Sequence, residues 1–201
     1  MLILIAIVLL LAYSVILHEI SHGAAAYLLG DPTARDQKRL TLNPFRHIDL
    51  VGTILLPAAL VLLKSPALLG WAKPVPFDPR YFKHPRSGIA LVSLAGPFTN
   101  FALAVLCAAV FRAAPSGGPL SVVAFYGVAM NVVLGLFNLI PIPPMDGSKA
   151  LGVFLPDRLR RAYFSIERFG FIIIFALLYF GFASRLLAPL YTSLIRFLTA
   201  V

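Results

Sequence analysis

Six apolar runs, roughly residues 2–29, 48–70, 88–114, 120–143, 164–183 and 186–200, make up most of the chain. About 20 apolar residues suffice to cross the hydrocarbon core of a bilayer, so the pattern predicts an all-α, multi-pass membrane protein. Polar, proline-containing connectors separate the runs: GDPTARDQKRLTLNPFRH, WAKPVPFDPRYFKHPR, APSGGP and PPMDGSKALGVFLPDRLRR. There is no internal repeat and no low-complexity tail. The first run, MLILIAIVLLLAYSVIL, has no Lys or Arg before it and continues through AAAYLL to Gly30. It reads as a retained helix rather than a cleaved leader.

The second run is the ambiguous one. If all six runs cross, basic residues are divided between both faces, with Arg35, Lys38, Arg39, Arg46, Arg112 and Arg185 on one of them. If the run at 48–70 dips in and returns, broken at Pro57 and Pro66 and loosened at Gly52, the two basic connectors flanking it share a face. Only Arg112 and Arg185 then stay clearly opposite. The positive-inside bias favours this re-entrant arrangement, with the N-terminus outside and the basic connectors in the cytoplasm. Irregular backbone at membrane depth also marks a place shielded by protein or lining a wet cavity.

Composition narrows the class further. Of 201 residues 60% are hydrophobic and 12% charged, about half the charged share of a soluble domain. The net charge of +9 lies in short loops, where anionic headgroups account for it, and nucleic-acid binding is not expected. The single cysteine, Cys107, excludes an intrachain disulfide and a cysteine-based metal site.

Against this background LHEISHG, residues 17 to 23, stands out, because ionisable residues in a membrane helix are costly and default to a functional role. HEISH fits H-E-x-x-H: His18 and His22 project from one helical face, suited to one zinc ion, and Glu19 sits beside the metal as a base. A catalytic zinc takes three protein ligands. His47 and His84 lie in basic connectors, Asp31 and Asp36 in the turn after the first helix, Asp49 at the start of the second run, and Asp78, Asp157 and Glu167 in charged or proline-rich stretches. Asp146 differs. It follows the fourth run in NLIPIPPMDGSKAL, where Pro141, Pro143 and Pro144 favour extended chain and Gly147 permits close approach, so a carboxylate could reach the bundle. The re-entrant arrangement puts His22 and Asp146 at one depth.

Three segments together, HEISH at 18–22, SLAGPFTN at 93–100 and FNLIPIPPMDG at 137–147, resemble the site-2 protease family of intramembrane zinc metalloproteases. The resemblance covers the three-helix core, roughly residues 2 to 146, and implies His18, His22 and Asp146 as zinc ligands and Glu19 as catalytic base. It also implies contacts from Asn100 and Asn138 to the substrate backbone or the oxyanion. Helix-to-helix hydrogen bonding is the other reading of both amides, and Gly96 is expected to bring helices together. Only APSGGP stands where other members carry a PDZ-like insertion, and no nucleotide-sensing domain follows, which implies a compact form. The expected division is a protease core over 1–147, including the re-entrant or extra span, and C-terminal transmembrane helices over 148–201.

The implied activity is hydrolysis of peptide bonds within or near transmembrane segments, with a transmembrane protein as substrate and the lipid bilayer as medium. A homo-oligomer is compatible with it. The location implied is a prokaryotic plasma membrane, with the active site towards the cytoplasm. A substrate helix must unwind before it is cut, and KRLTLNPF at 38–45 is a candidate edge for β-addition of the unwound stretch. The competing class is a metal-binding or metal-transporting membrane protein using the same three ligands; the lack of further His, Asp or Glu in the interior of the other apolar runs counts against it.

Overall fold

The computed structural model describes residues 1–65 and 70–200. Three helices are long and apolar enough to cross a membrane: α1 (Leu2–Leu28), α3 (Pro85–Ala113) and α4 (Pro119–Asn138). Between α1 and α3 lies the shorter apolar helix α2 (Leu50–Leu62). After α4 come α5 (Asp146–Gly152), α6 (Asp157–Phe164), α7 (Glu167–Tyr179) and α8 (Phe182–Thr199). The protein is thus an all-α, polytopic membrane protein.

The start of each later membrane helix is set locally. Pro85 and Pro119 each occupy the first turn, where a missing N–H costs nothing. The connector APSGGP, with Gly117 at φ 74°, reverses the chain so that α3 and α4 pack as an antiparallel pair. Small residues line the seam. Ala104 and Ala108 of α3 and Val128 and Val132 of α4 form a buried cluster, and a Cβ on Gly127 would come within 2.7 Å of the Cys107 sulfur.

The second apolar run leaves and returns to its own starting level. The Lys73 N–H donates to the His47 carbonyl at 2.8 Å, the Trp71 N–H to the Gly52 carbonyl at 3.1 Å, and the Thr53 hydroxyl to the Trp71 carbonyl at 2.8 Å. The segment opens as a wide π-helical turn, Leu50–Leu55, capped by Asp49, and tightens to an α-helix at Leu56, where Pro57 can make no helical N–H bond. Trp71 covers Gly52, whose missing side chain leaves room for the indole. The second expected break, at Pro66, lies outside the described residues. Thirteen helical residues rise about 20 Å, less than the roughly 30 Å core.

The C-terminal part differs from a simple pair of crossings. Gly170 of α7 abuts Pro143 and Pro144, just past the end of α4, whereas the Arg112 guanidinium at the far end of α3 donates to the carbonyls of Phe197 and Leu198, both at 2.8 Å. α7 and α8 together therefore carry the chain from one end of the bundle to the other. Arg185, near the start of α8, sits about 20 Å along the axis from Arg112 rather than beside it. The physical reason is length: α7 has 13 residues and α6 and α7 qualify as a span only as a pair bent by 62°. Tyr191, Leu194, Ile195 and Leu198 of α8 pack on the α3–α4 cluster, which joins this helix to the core.

Candidate metal centre

His18 and His22 lie one turn apart on the buried face of α1, and the reversal after α4 delivers Asp146, the first residue of α5, to the same place. Gly147 makes that reversal possible, since a Cβ there would collide with the Leu139 backbone. All three residues are buried. His18 Nε2 and His22 Nε2 stand 3.1 Å apart, and Asp146 Oδ2 lies 3.1 Å from the first and 3.2 Å from the second.

The remaining ring nitrogens decide what these atoms are. His22 Nδ1 lies 2.7 Å from the Val92 carbonyl, which can only accept, so Nδ1 carries the proton. His18 Nδ1 lies 2.6 Å from Asn100 Oδ1 and carries its proton likewise. In the neutral rings both Nε2 lone pairs therefore point at one spot, together with a carboxylate oxygen. Three lone pairs converging without a donor repel one another unless a cation sits among them. Ligands about 2.0–2.2 Å from a tetrahedral zinc stand roughly 3.3 Å apart, close to the spacing found. The residues fit a zinc ion.

Burial opposes ionisation of Asp146, and the positive charge of the nearby Lys149 ammonium favours it. Lys149 Nζ is 3.3 Å from Asp146 Oδ1. Gly96 of α3 floors the site, since a Cβ there would lie 2.5 Å from His18 Cε1 and 2.5 Å from His22 Nε2. The following Pro97, with no N–H, releases the Ser93 carbonyl from the helix ladder beside the Val92 carbonyl that His22 uses.

Glu19 stands beside the cluster. Its Oε2 accepts the Val75 N–H at 2.9 Å, so an extended strap, residues 71–78, crosses the site. Pro74 and Pro76 favour that extended form. Buried Arg39 donates to the carbonyls of Lys73 at 2.7 Å and Pro74 at 3.3 Å, and fully buried Asp31 accepts the Asp78 N–H at 2.6 Å. Arg80 hydrogen bonds hold the half-buried Asp78 carboxyl below its ordinary range. Under the strap is a cavity of about 50 Å³ lined by Glu19, His22, Ser93, Asp146 and Lys149 with Pro74, Val75 and Phe77.

The other sequence candidates fall elsewhere. His47 is buried and donates to the Thr41 carbonyl, His84 is exposed, Asp49 caps α2, and Asp157 pairs with Arg86 and Arg160. Asn100 is fully buried against His18; Asn138 is half-buried, and its amide donates to the Leu134 carbonyl one turn back. Among the described residues no strand forms, at 38–45 or anywhere else; the extended stretch nearest the site is the strap. The sequence reading missed Asn131 and Ser14, fully or nearly fully buried polar residues linked to Asn100. Their signal was an amide and a hydroxyl within membrane helices, with Ser14 one turn before His18.

Three spanning helices around two histidines and a carboxylate define a membrane protein with a buried zinc-type centre. Comparison with known proteins carries this further. Residues 112–181 match the model of Peptidase family M50. The chain is 36% identical over 193 residues, 92% of its own length and 84% of the relative's, to "Putative zinc metalloprotease YwhC" of Bacillus subtilis (strain 168). It is 32% identical over 169 residues to the protein of the same description named Rip2 in Mycolicibacterium smegmatis, covering 82% of this chain and 63% of that one. Rip2 of Mycobacterium tuberculosis H37Rv is 33% identical over 168 residues, covering 82% of this chain and 62% of that relative. The chain thus spans less than two thirds of the Rip2 proteins. No solved structure matches it. The chain belongs to Peptidase family M50, the site-2 protease family of zinc metalloproteases.

Proposed function

We propose that His18, His22 and Asp146 hold the catalytic zinc of an intramembrane metalloendopeptidase, that Glu19 is its general base, and that it cuts peptide bonds within or near transmembrane segments of membrane proteins. The observation that carries this reading is the convergence of two Nε2 lone pairs and a carboxylate oxygen at 3.1–3.2 Å. When bound there, zinc would act as a Lewis acid and lower the pKa of water to about 7. Glu19 faces the cavity from the next position on α1, takes the proton of the attacking water, and returns it to the leaving amine. Lys149 adds positive charge to the same cavity.

A cavity of about 50 Å³ admits one or two waters but not a peptide. Substrate therefore enters as the strap shifts away from Glu19, presenting an unwound stretch to the centre. Asn138, half-buried at the end of α4, is the amide we assign to substrate or oxyanion, on its release from the Leu134 carbonyl. The basic connectors and the returning second run support a cytoplasmic active site in a plasma membrane. A metal-transport reading has no comparable support, because among the described residues no second group of His, Cys, Asp and Glu could hold an ion.

The test is zinc stoichiometry beside proteolysis. The purified protein is expected to bind one zinc per chain and cleave single-span test proteins with a helix-destabilised transmembrane segment. His22→Ala and Asp146→Ala are each expected to lose both properties. Full zinc binding and cleavage in either variant would refute the assignment.

A further inference from the structure

Behind the metal centre runs a chain of buried polar groups that no catalytic step uses. The Asn131 side-chain amide donates to the Ser14 hydroxyl at 2.9 Å and to the Gly127 carbonyl at 3.0 Å. Asn131 Oδ1 accepts from Asn100 Nδ2 at 3.0 Å, and Asn100 Oδ1 accepts from His18 Nδ1 at 2.6 Å. Both amides are 0% exposed. The circuit leaves α1 at Ser14, passes through α4 and α3, and returns to α1 at His18, one turn further on.

The circuit has a direction. A backbone carbonyl only accepts, so the Gly127 oxygen fixes which end of Asn131 is its nitrogen. That places the Asn131 oxygen towards Asn100, which must turn its own nitrogen to it and its oxygen to His18. The His18 Nδ1 must then be protonated, and its Nε2 lone pair is left for the metal. Reversing either amide would set N–H against N–H, or oxygen against oxygen, where no water can relieve the clash.

We infer that Asn131 is a positioning residue for the metal ligand His18, acting through Asn100 to lock the imidazole tautomer and ring orientation, with Ser14 closing the circuit. The inference rests on His18 being a zinc ligand. Outer partners of metal-bound histidines commonly alter metal affinity 10–100-fold when removed. On this account both nitrogen and oxygen of Asn100 are occupied inside the bundle, and its contribution to proteolysis passes through His18.

The experiment measures zinc affinity of the full chain in detergent by competition with a chelator, and the absorption spectrum of the cobalt(II)-loaded protein. Asn131→Leu, which keeps the branching at Cγ but is bulkier and carries no polar atom, is expected to weaken zinc binding about 10–100-fold and to change the cobalt ligand-field bands; Ser14→Ala gives a smaller loss, and Ser14→Thr, which keeps the hydroxyl, restores it. Should Asn131→Leu not fold, Asn131→Ser is read the same way, because Ser bonds back to the carbonyl four residues earlier and leaves Asn100 without its acceptor. Unchanged affinity and spectrum in a folded Asn131 variant would overturn the inference, even with a lowered melting temperature. His18→Ala separates the two claims: if it keeps zinc, the underlying ligand assignment is at fault; if it loses zinc while the Asn131 variants keep it, only the positioning role is.

Discussion

At the residue scale, the site depends as much on what is absent as on what is present. Gly96 holds α3 against both imidazoles, and even a methyl group there must push the ligands apart. Gly96→Ala is expected to cost about 1–3 kcal/mol of stability through overpacking and to weaken zinc binding about tenfold or more. Thermal melts and chelator competition beside the wild type check this; unchanged values in both would show that the rings move freely. Of the residues that the structure brings together, His18 and His22 were legible from their spacing within a membrane helix, and Asp146 from a proline-rich reversal that could carry a carboxylate to the bundle. Asn131 and Ser14 were not, because a lone amide or hydroxyl in an apolar helix carries no spacing signal. Its partner emerges only when three helices are packed.

At the scale of elements, the informative pieces are the returning second run and the strap. The bias of basic residues anticipated the return, since charge in the connectors responds to the membrane whatever the local backbone does. Its means, a π-helical turn, a Trp ring on Gly52 and hydrogen bonds between 47 and 73, required coordinates. The strap was hidden by its composition: WAKPVPFDP reads as a connector, and nothing local shows that Val75 lands on Glu19. The path of α7 and α8 is likewise a matter of packing: α6 and α7 reach spanning length only as a pair bent by 62°, and Arg112 secures the end of α8. A compartment-sensitive reporter fused after Gly70 is expected to read cytoplasmic and one in APSGGP extracytoplasmic. Opposite readings at Gly70 and in the connector 31–47 would restore a full second crossing.

At the scale of the molecule, the three spanning helices form a frame stapled by one polar circuit, with the metal centre at the end of the bundle where α1, the start of α3 and the end of α4 meet. The strap closes that end and the basic connectors surround it. On the proposed assignment, holding zinc, by rings and carboxylate fixed in the frame, is separate from moving protons, by Glu19. The central claim is therefore tested most directly by Glu19→Gln, which keeps the shape of the side chain and removes its basicity. Cleavage of a co-expressed single-span membrane protein that the wild type cuts should fall to background, while the purified variant retains one zinc per chain and its helical content. Undiminished cleavage by the folded variant would contradict the account.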